Sequence, residues 1–182
     1  MNSLKEQYSK EVVPALMKSL GYKNKLSVPT IKKVVLNVGI GAGLKDKEYL
    51  EIVKNTLRRI SGQEPIETTA HKSISNFKIR QGMVVGIKVT LRKSRMWDFL
   101  EKLVKITLPR VRDFRGLSSQ GFDNRGNYSL GFKENVAFPE IKQDELERMH
   151  GLEVCISTSA ETKEQGKVLL QELGFPFKKE DK

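Results

Sequence analysis

Residues His71–Lys93, HKSISNFKIRQGMVVGIKVTLRK, decide the fold of this chain and carry charge of one sign only, six Lys or Arg with no Asp or Glu. From Met83 onward the residues alternate: Val85, Ile87, Val89 and Leu91 point one way, and Val84, Gly86, Lys88, Thr90 and Arg92 the other. That pattern predicts a strand with an apolar face for a core and a cationic face for something else. The preceding residues, 72–82, mix Ser, Asn, Gly and basic side chains around a lone Phe77 with no sustained period, so they read as a long basic loop. No Asp or Glu occurs between Thr68 and Trp97, and one-signed charge left uncompensated points to a polyanionic partner.

On the N-terminal side, Thr30 to Ile40 repeats the pattern. Val34, Leu36, Val38 and Ile40 form an apolar row opposite Ile31, Lys33, Val35 and Asn37. Gly39, Gly41 and Gly43 follow as a turn, and Asp46 is placed to cap a helix through Leu50, Val53, Leu57 and Ile60 that stops at Gly62. A glycine turn between strand and helix suggests a nucleotide loop, but the dinucleotide fingerprint would need Gly where Leu44 stands. A phosphate loop would need Gly-Lys-Ser/Thr where Lys45, Asp46 and Lys47 stand, so a plain turn is the better reading. Gln63 to Thr69 reads as a short strand, placed at an edge by Pro65.

Before this core, Asn2 or Ser3 caps a helical extension over about residues 2–20, with a kink or a break into two expected at Pro14. After it, Ser94 is the expected cap of a helix carrying Met96, Trp97, Leu100, Leu103 and Val104, ended or bent at Pro109. Arg110 to Gly131 reads as an irregular basic loop entering a strand in which Tyr128, Leu130 and Phe132 face inward. A polar loop containing Pro139 leads to a last strand on Leu152, Val154 and Ile156. Thr158 to Glu161 has capping-box spacing before a final helix that ends at Gly174, and residues 178–182 read as a solvated tail. The middle of this order is βαββαβ. It predicts an α+β chain of split-βαβ type, a mainly antiparallel sheet with helices on one face and an open basic face.

The 182 residues suit a single α+β domain, and the net charge of +11 favours nucleic acid or an acidic surface over small neutral ligands. The N-terminus lacks an apolar signal region and no run nears about 18 apolar residues, so neither secretion nor a membrane span is expected. The lone Cys155 excludes an internal disulfide and, without a nearby His, reads as a buried or half-buried thiol rather than a nucleophile. Two histidines, His71 and His150, offer no zinc spacing, and no two carboxylates pair for acid–base work. The expectation is therefore a non-catalytic protein with no metal and no cofactor. On an open face, Lys33, Lys88 and Arg92 would meet phosphates while Asn37, Thr90 and Gln63 bonded ribose or base edges. With no aromatic at the positions where a single-strand reader stacks bases, such a face suits folded RNA, and Phe77 in the loop either stacks on a nucleotide or tucks back onto the sheet.

Several stretches together resemble the family of large-subunit ribosomal protein five, bacterial type: TIKKVVLNVG (30–39), KSISNFKIRQG (72–82), KVTLR (88–92), LPRVRDFRGL (108–117), GNYSLG (126–131) and FPEI (138–141). The resemblance covers nearly the whole chain. It implies a 5S rRNA-binding protein, monomeric when free, that helps anchor that RNA to large-subunit rRNA in the central protuberance. It places Lys33, Asn37, Gln63, Phe77, Lys88, Thr90 and Arg92 against 5S rRNA. It sends the loop with Lys72, Ser73, Ser75, Asn76, Lys78 and Arg80 toward P-site tRNA. Phe138, Pro139, Glu140, Lys142 and Asp144 would face a small-subunit head protein across an intersubunit bridge.

Overall fold

The computed structural model describes residues 3–41, 46–141 and 149–178. In chain order the elements are α1 (Leu4–Gln7), a π turn (Tyr8–Val12), α2 (Val13–Leu20), β1 (Ile31–Gly39), α3 (Lys47–Ser61), β2 (Ile66–Thr69) and β3 (Val84–Leu91). There follow α4 (Lys93–Lys102), a second π turn (Leu103–Thr107), α5 (Leu108–Arg110), β4 (Tyr128–Phe132), β5 (Leu152–Thr158) and α6 (Lys163–Glu172). The strands form one five-stranded antiparallel sheet in the order β2-β3-β1-β5-β4. In this split βαβ, β3 lies between the strands that α3 connects, and the strand returning beside β1 is β5, with β4 added outside it. The chain divides into two compact units, Met1–Val34 with Arg92–Leu130 and Cys155–Lys182, and Val35–Leu91 with Gly131–Val154.

In the first unit both interior prolines are handled the same way. Pro14 has no N–H to donate, and its ring would press on the carbonyl four residues back. The turn before it is widened, with the Val13 amide bonding Tyr8 O five residues away, and α2 then starts with the proline in its first turn. At Pro109 the Leu108 amide likewise bonds Leu103 O, and α5 ends at Arg110. Of the two outcomes expected at Pro14, the extension takes the break into two short helices, α1 and α2, with a π turn between them. The Ser3 hydroxyl accepts from the Glu6 amide, and the extension docks on α4: Tyr8 packs at 5.2 Å from the Trp97 ring and donates its hydroxyl to Pro29 O, while the Leu4 amide bonds Glu101. The Lys105 ammonium, then the Leu4 amide, holds Glu101 below the usual carboxylate range.

Two capping expectations are corrected. Ser94 does not cap α4, because the helix already begins at Lys93, with Arg92 in the cap position making no side-chain cap bond. The last capping box lies four residues further on than Thr158–Glu161. Thr162 Oγ1 accepts from the Gln165 amide, and Gln165 Oε1 accepts from the Glu161 amide. Thr158 is still in β5, where its hydroxyl donates to Gly126 O. Tyr128, Phe122 and Phe177 cluster with centroids 4.5–5.5 Å apart, and burial pushes the Tyr128 phenol up to about 12.

In the second unit Asp46 caps α3 by accepting from the Glu48 and Tyr49 amides, a bond set of about 1 kcal/mol, and Gly62 closes the helix at φ 64°. Leu57, Val53 and Ile60 of α3, Leu36 and Val38 of β1, and Ile87 and Val89 of β3 are all buried. The Arg58 guanidinium grips Glu64 with two bonds of 2.7 and 2.6 Å across the turn into β2. That turn holds Gln63, which the sequence assigned to the strand; β2 itself starts at Ile66.

His150 in this unit is buried, and neither ring nitrogen has a hydrogen-bond partner among the described residues. Burial lowers its pKa below the ordinary histidine value of about 6.5. The unfolded chain then binds a proton more readily than the folded one, so stability is undiminished above about pH 6.5 and falls as pH drops below it. The urea midpoint should decline between about pH 6.5 and 5.5 in the native protein and stay level in His150→Leu. Equal declines in both would refute this assignment.

Candidate nucleic-acid interface

The second unit shows which face of the sheet is covered. The β2–β3 register pairs Glu67 with Ile87, and Glu67 forms an ion pair with Lys54 of α3. Side chains at those positions therefore face α3. Ile66 pairs with Lys88 and Thr68 with Gly86 on the opposite side, where Thr90 follows by alternation. Lys88 is exposed and has no salt-bridge partner among the described residues; Ile66 beside it is 64% exposed. Gly86 is needed there because a Cβ would stand 2.8 Å from Thr68 Oγ1 and 3.1 Å from Val38 O.

Asn37 is half-buried on this face and donates through Nδ2 to Glu153 Oε2 at 3.3 Å. Its Oδ1 lies 3.9 Å from the position a Cβ on Gly86 would occupy, so the amide presents an acceptor toward the glycine gap. The face therefore offers a cation, an apolar flank and a carbonyl-type acceptor, a combination suited to a phosphate, a sugar and a 2′-hydroxyl. Among the described residues it carries no aromatic platform. Glu153 and Ile66 were missed in the sequence: alternation places Glu153 opposite the Leu152/Val154 row, but only strand order brings β5 beside β1.

Of the remaining expected residues, only Thr90 shares this face. Gln63 is half-buried in the turn after Gly62, and Thr90 is half-buried on β3. Lys33 and Arg92 belong to the first unit. Lys33 is half-buried on β1, and Arg92 is exposed at the start of α4 rather than within β3. Cys155 is half-buried, with Ser129 Oγ at 3.5 Å.

The basic loop is a closed hairpin rather than an irregular excursion. Its base is tied by Ala70 N to Met83 O and Gly82 N to Ala70 O, and Ile74 and Ile79 exchange two backbone bonds higher up. Lys78 turns in the left-handed region at φ 55° and returns its amide to Ser75 O. Ser73 Oγ accepts from the Gln81 amide. Lys72, Ser73, Ser75, Asn76, Lys78 and Arg80 are all exposed, and Phe77 at the tip is 68% exposed, so it does not tuck back onto the sheet.

Phe138, an expected bridge contact, is fully buried and meets Phe132 edge-on at 5.3 Å. It is a packing residue that positions the exposed Pro139 and half-buried Glu140. Lys142 and Asp144 lie outside the described residues, as do Gly43, Leu44 and Lys45 of the glycine turn and tail residues 179–182. Among the described residues no helix is long and apolar enough to cross a membrane.

Comparison with known proteins gives these surfaces a family. Residues 24–80 match the family model described as Ribosomal protein L5, and residues 84–177 match the model for that family's C-terminus. The chain is 54% identical to the large ribosomal subunit protein uL5 of Caldanaerobacter subterraneus subsp. tengcongensis, covering 98% of this chain and all of the relative. It is 53% identical to the protein of the same name from Kosmotoga olearia, over 97% of this chain and 96% of that one. The corresponding Clostridium perfringens protein is 52% identical over 97% and 99%. With both halves matched and the full length aligned, the chain belongs to the ribosomal protein L5 (uL5) family.

Proposed function

We propose that this chain, a structural and non-enzymatic protein of the large subunit of the cytoplasmic ribosome, binds 5S rRNA through the helix-free face of β2 and β3 and helps anchor it to large-subunit rRNA in the central protuberance. The observation that carries this reading is Lys88, without an ion-pair partner among the described residues, set between Ile66 and the acceptor of Asn37 on a surface where no described side chain is aromatic. Lys88 would meet a phosphate. Asn37, its amide fixed by Glu153, would accept from a ribose hydroxyl, with Thr90 and Gln63 adding polar contacts. Lys33 and Arg92, in the first unit, are proposed as separate phosphate contacts.

By the same reading the hairpin of residues 70–83 reaches toward P-site tRNA. The support is its exposed Lys72, Lys78 and Arg80 around a solvent-facing Phe77, a side chain able to stack on a nucleotide for about 1–3 kcal/mol. Pro139 and Glu140 are the described part of the proposed contact with the small-subunit head.

Lys88→Ala should weaken 5S rRNA binding and shallow its dependence on salt by about one unit of slope. Gel-shift titrations at four salt concentrations read both quantities, with Lys33→Ala and Arg92→Ala expected to behave alike. Unchanged affinity and slope in Lys88→Ala would remove the face from the site.

A further inference from the structure

The helix-free face of the second unit carries an acid where charge alone would place none. Glu153 of β5 is exposed, and its carboxylate accepts from Asn37 Nδ2 at 3.3 Å. Both residues belong to this unit. Leu152 and Val154 on either side of Glu153 are buried, so alternation turns Glu153 away from the core and onto the face that holds Asn37. A carboxylate there repels the phosphates from which an RNA-binding surface draws its affinity. Its place beside Asn37 therefore calls for a role other than attracting the backbone.

The bond to Asn37 supplies that role. An ionised carboxylate only accepts, so it must meet the amino end of the Asn37 amide and not the carbonyl end. This fixes which way round the amide stands, a choice that a symmetric partner such as a hydroxyl leaves open. Oδ1 is thereby turned toward Gly86, 3.9 Å from the point where a Cβ would stand, with Thr68 Oγ1 2.8 Å from the same point. Gly86 has no side chain to cover these oxygens. Lys88, two residues along β3 on the same side, is exposed. The face is thus divided into a cation at Lys88 and a group of oxygens at Asn37, Thr68 and Glu153. A phosphate is drawn to the first and repelled by the second, whereas an uncharged donor suits the second.

We infer that Glu153 is a positioning residue that makes this face select ribose over deoxyribose: it aims Asn37 Oδ1 at a 2′-hydroxyl and turns phosphates away toward Lys88. The 2′-hydroxyl fits such a seat because it is uncharged, can donate, and is the sugar group that DNA lacks. The inference rests on the 5S rRNA reading given above. It adds the specificity of the Asn37 contact and the reason an acid stands beside it.

The test is 2′-deoxy interference with the full chain. 5S rRNA sparsely and randomly substituted with 2′-deoxynucleotides is separated into bound and free fractions, and each position is read. With the native protein at least one position should be depleted from the bound fraction by about two- to tenfold, the effect of one lost hydrogen bond. Glu153→Gln keeps the shape of the side chain but can donate as well as accept, so it no longer fixes the amide. Depletion at that position should vanish in Glu153→Gln, as it should in Asn37→Ala, while other positions keep their pattern. Glu153→Gln should also bind a generic DNA duplex more tightly than the native protein, because one repelling charge is gone. Lys88→Ala should weaken substituted and unsubstituted RNA by equal factors and leave the pattern intact. A purely structural role for Glu153 would lower the thermal midpoint or weaken all RNA binding uniformly, and would not erase a single position. No Asn37-dependent position in the native pattern, or an unchanged pattern in Glu153→Gln, would overturn the inference. If that happens while Lys88→Ala still weakens 5S rRNA binding, the face holds the RNA and only this inference fails. If Lys88→Ala, Asn37→Ala and Glu153→Gln all leave affinity and pattern unchanged, the sheet-face reading fails with it.

Discussion

Phe138→Ala should destabilise the fold by about 3–5 kcal/mol, the cost of removing a fully enclosed aromatic ring and leaving the space it filled. Phe138 has no accessible surface and packs edge-on against Phe132, itself 8% exposed. Phe138→Leu keeps most of the volume and should lose much less. Urea unfolding with matched slopes reads the difference. A loss below about 1 kcal/mol in the alanine variant would mean that the ring is not the packing element described, and would reopen a direct role at the proposed bridge. A defect in subunit joining that tracks the stability loss across the two variants would instead mark Phe138 as support for Pro139 and Glu140.

Gly166→Ala carries the second large effect, and its sign is the informative part. In an ordinary helix interior the change would stabilise by up to about 1 kcal/mol, because alanine is the better helix former. Here α6 crosses the turn before β4 so closely that a Cβ on residue 166 would fall onto the carbonyl oxygen of Gly126 and 2.6 Å from its Cα. Both are backbone atoms. Gly126 is held at φ 69°, and its carbonyl accepts from the buried Thr158 hydroxyl, so the turn cannot retreat without losing that bond. The net expectation is a loss of about 1–3 kcal/mol from overpacking, read as a lowered thermal midpoint. A raised midpoint would show that the two segments separate readily.

Much of this protein is legible as pattern. The alternation in residues 30–40 and 83–91 gives β1 and β3, Asp46 and Gly62 bracket α3, and Pro65 marks the edge strand, since each signal depends only on neighbours along the chain. Local signals failed where two candidates competed. Thr158 and Thr162 both have capping chemistry, and only the length of β5 decided between them. Phe138 sits in a polar stretch with no periodicity, so nothing local announced its burial, and the hairpin of residues 70–83 is built from backbone bonds that most side chains permit.

The sequence alone determined the order of elements, the cationic character, the family, and which residues of each strand share a side, because charge and the period of two are properties of the chain itself. Tertiary structure decided which side α3 leaves open, that β5 rather than β4 returns beside β1, and that Glu153 fixes the Asn37 amide. These are pairings between residues far apart in the chain, Asn37 and Glu153 by 116 positions, and they are chosen by the joint burial of all the apolar rows at once, which no single stretch encodes.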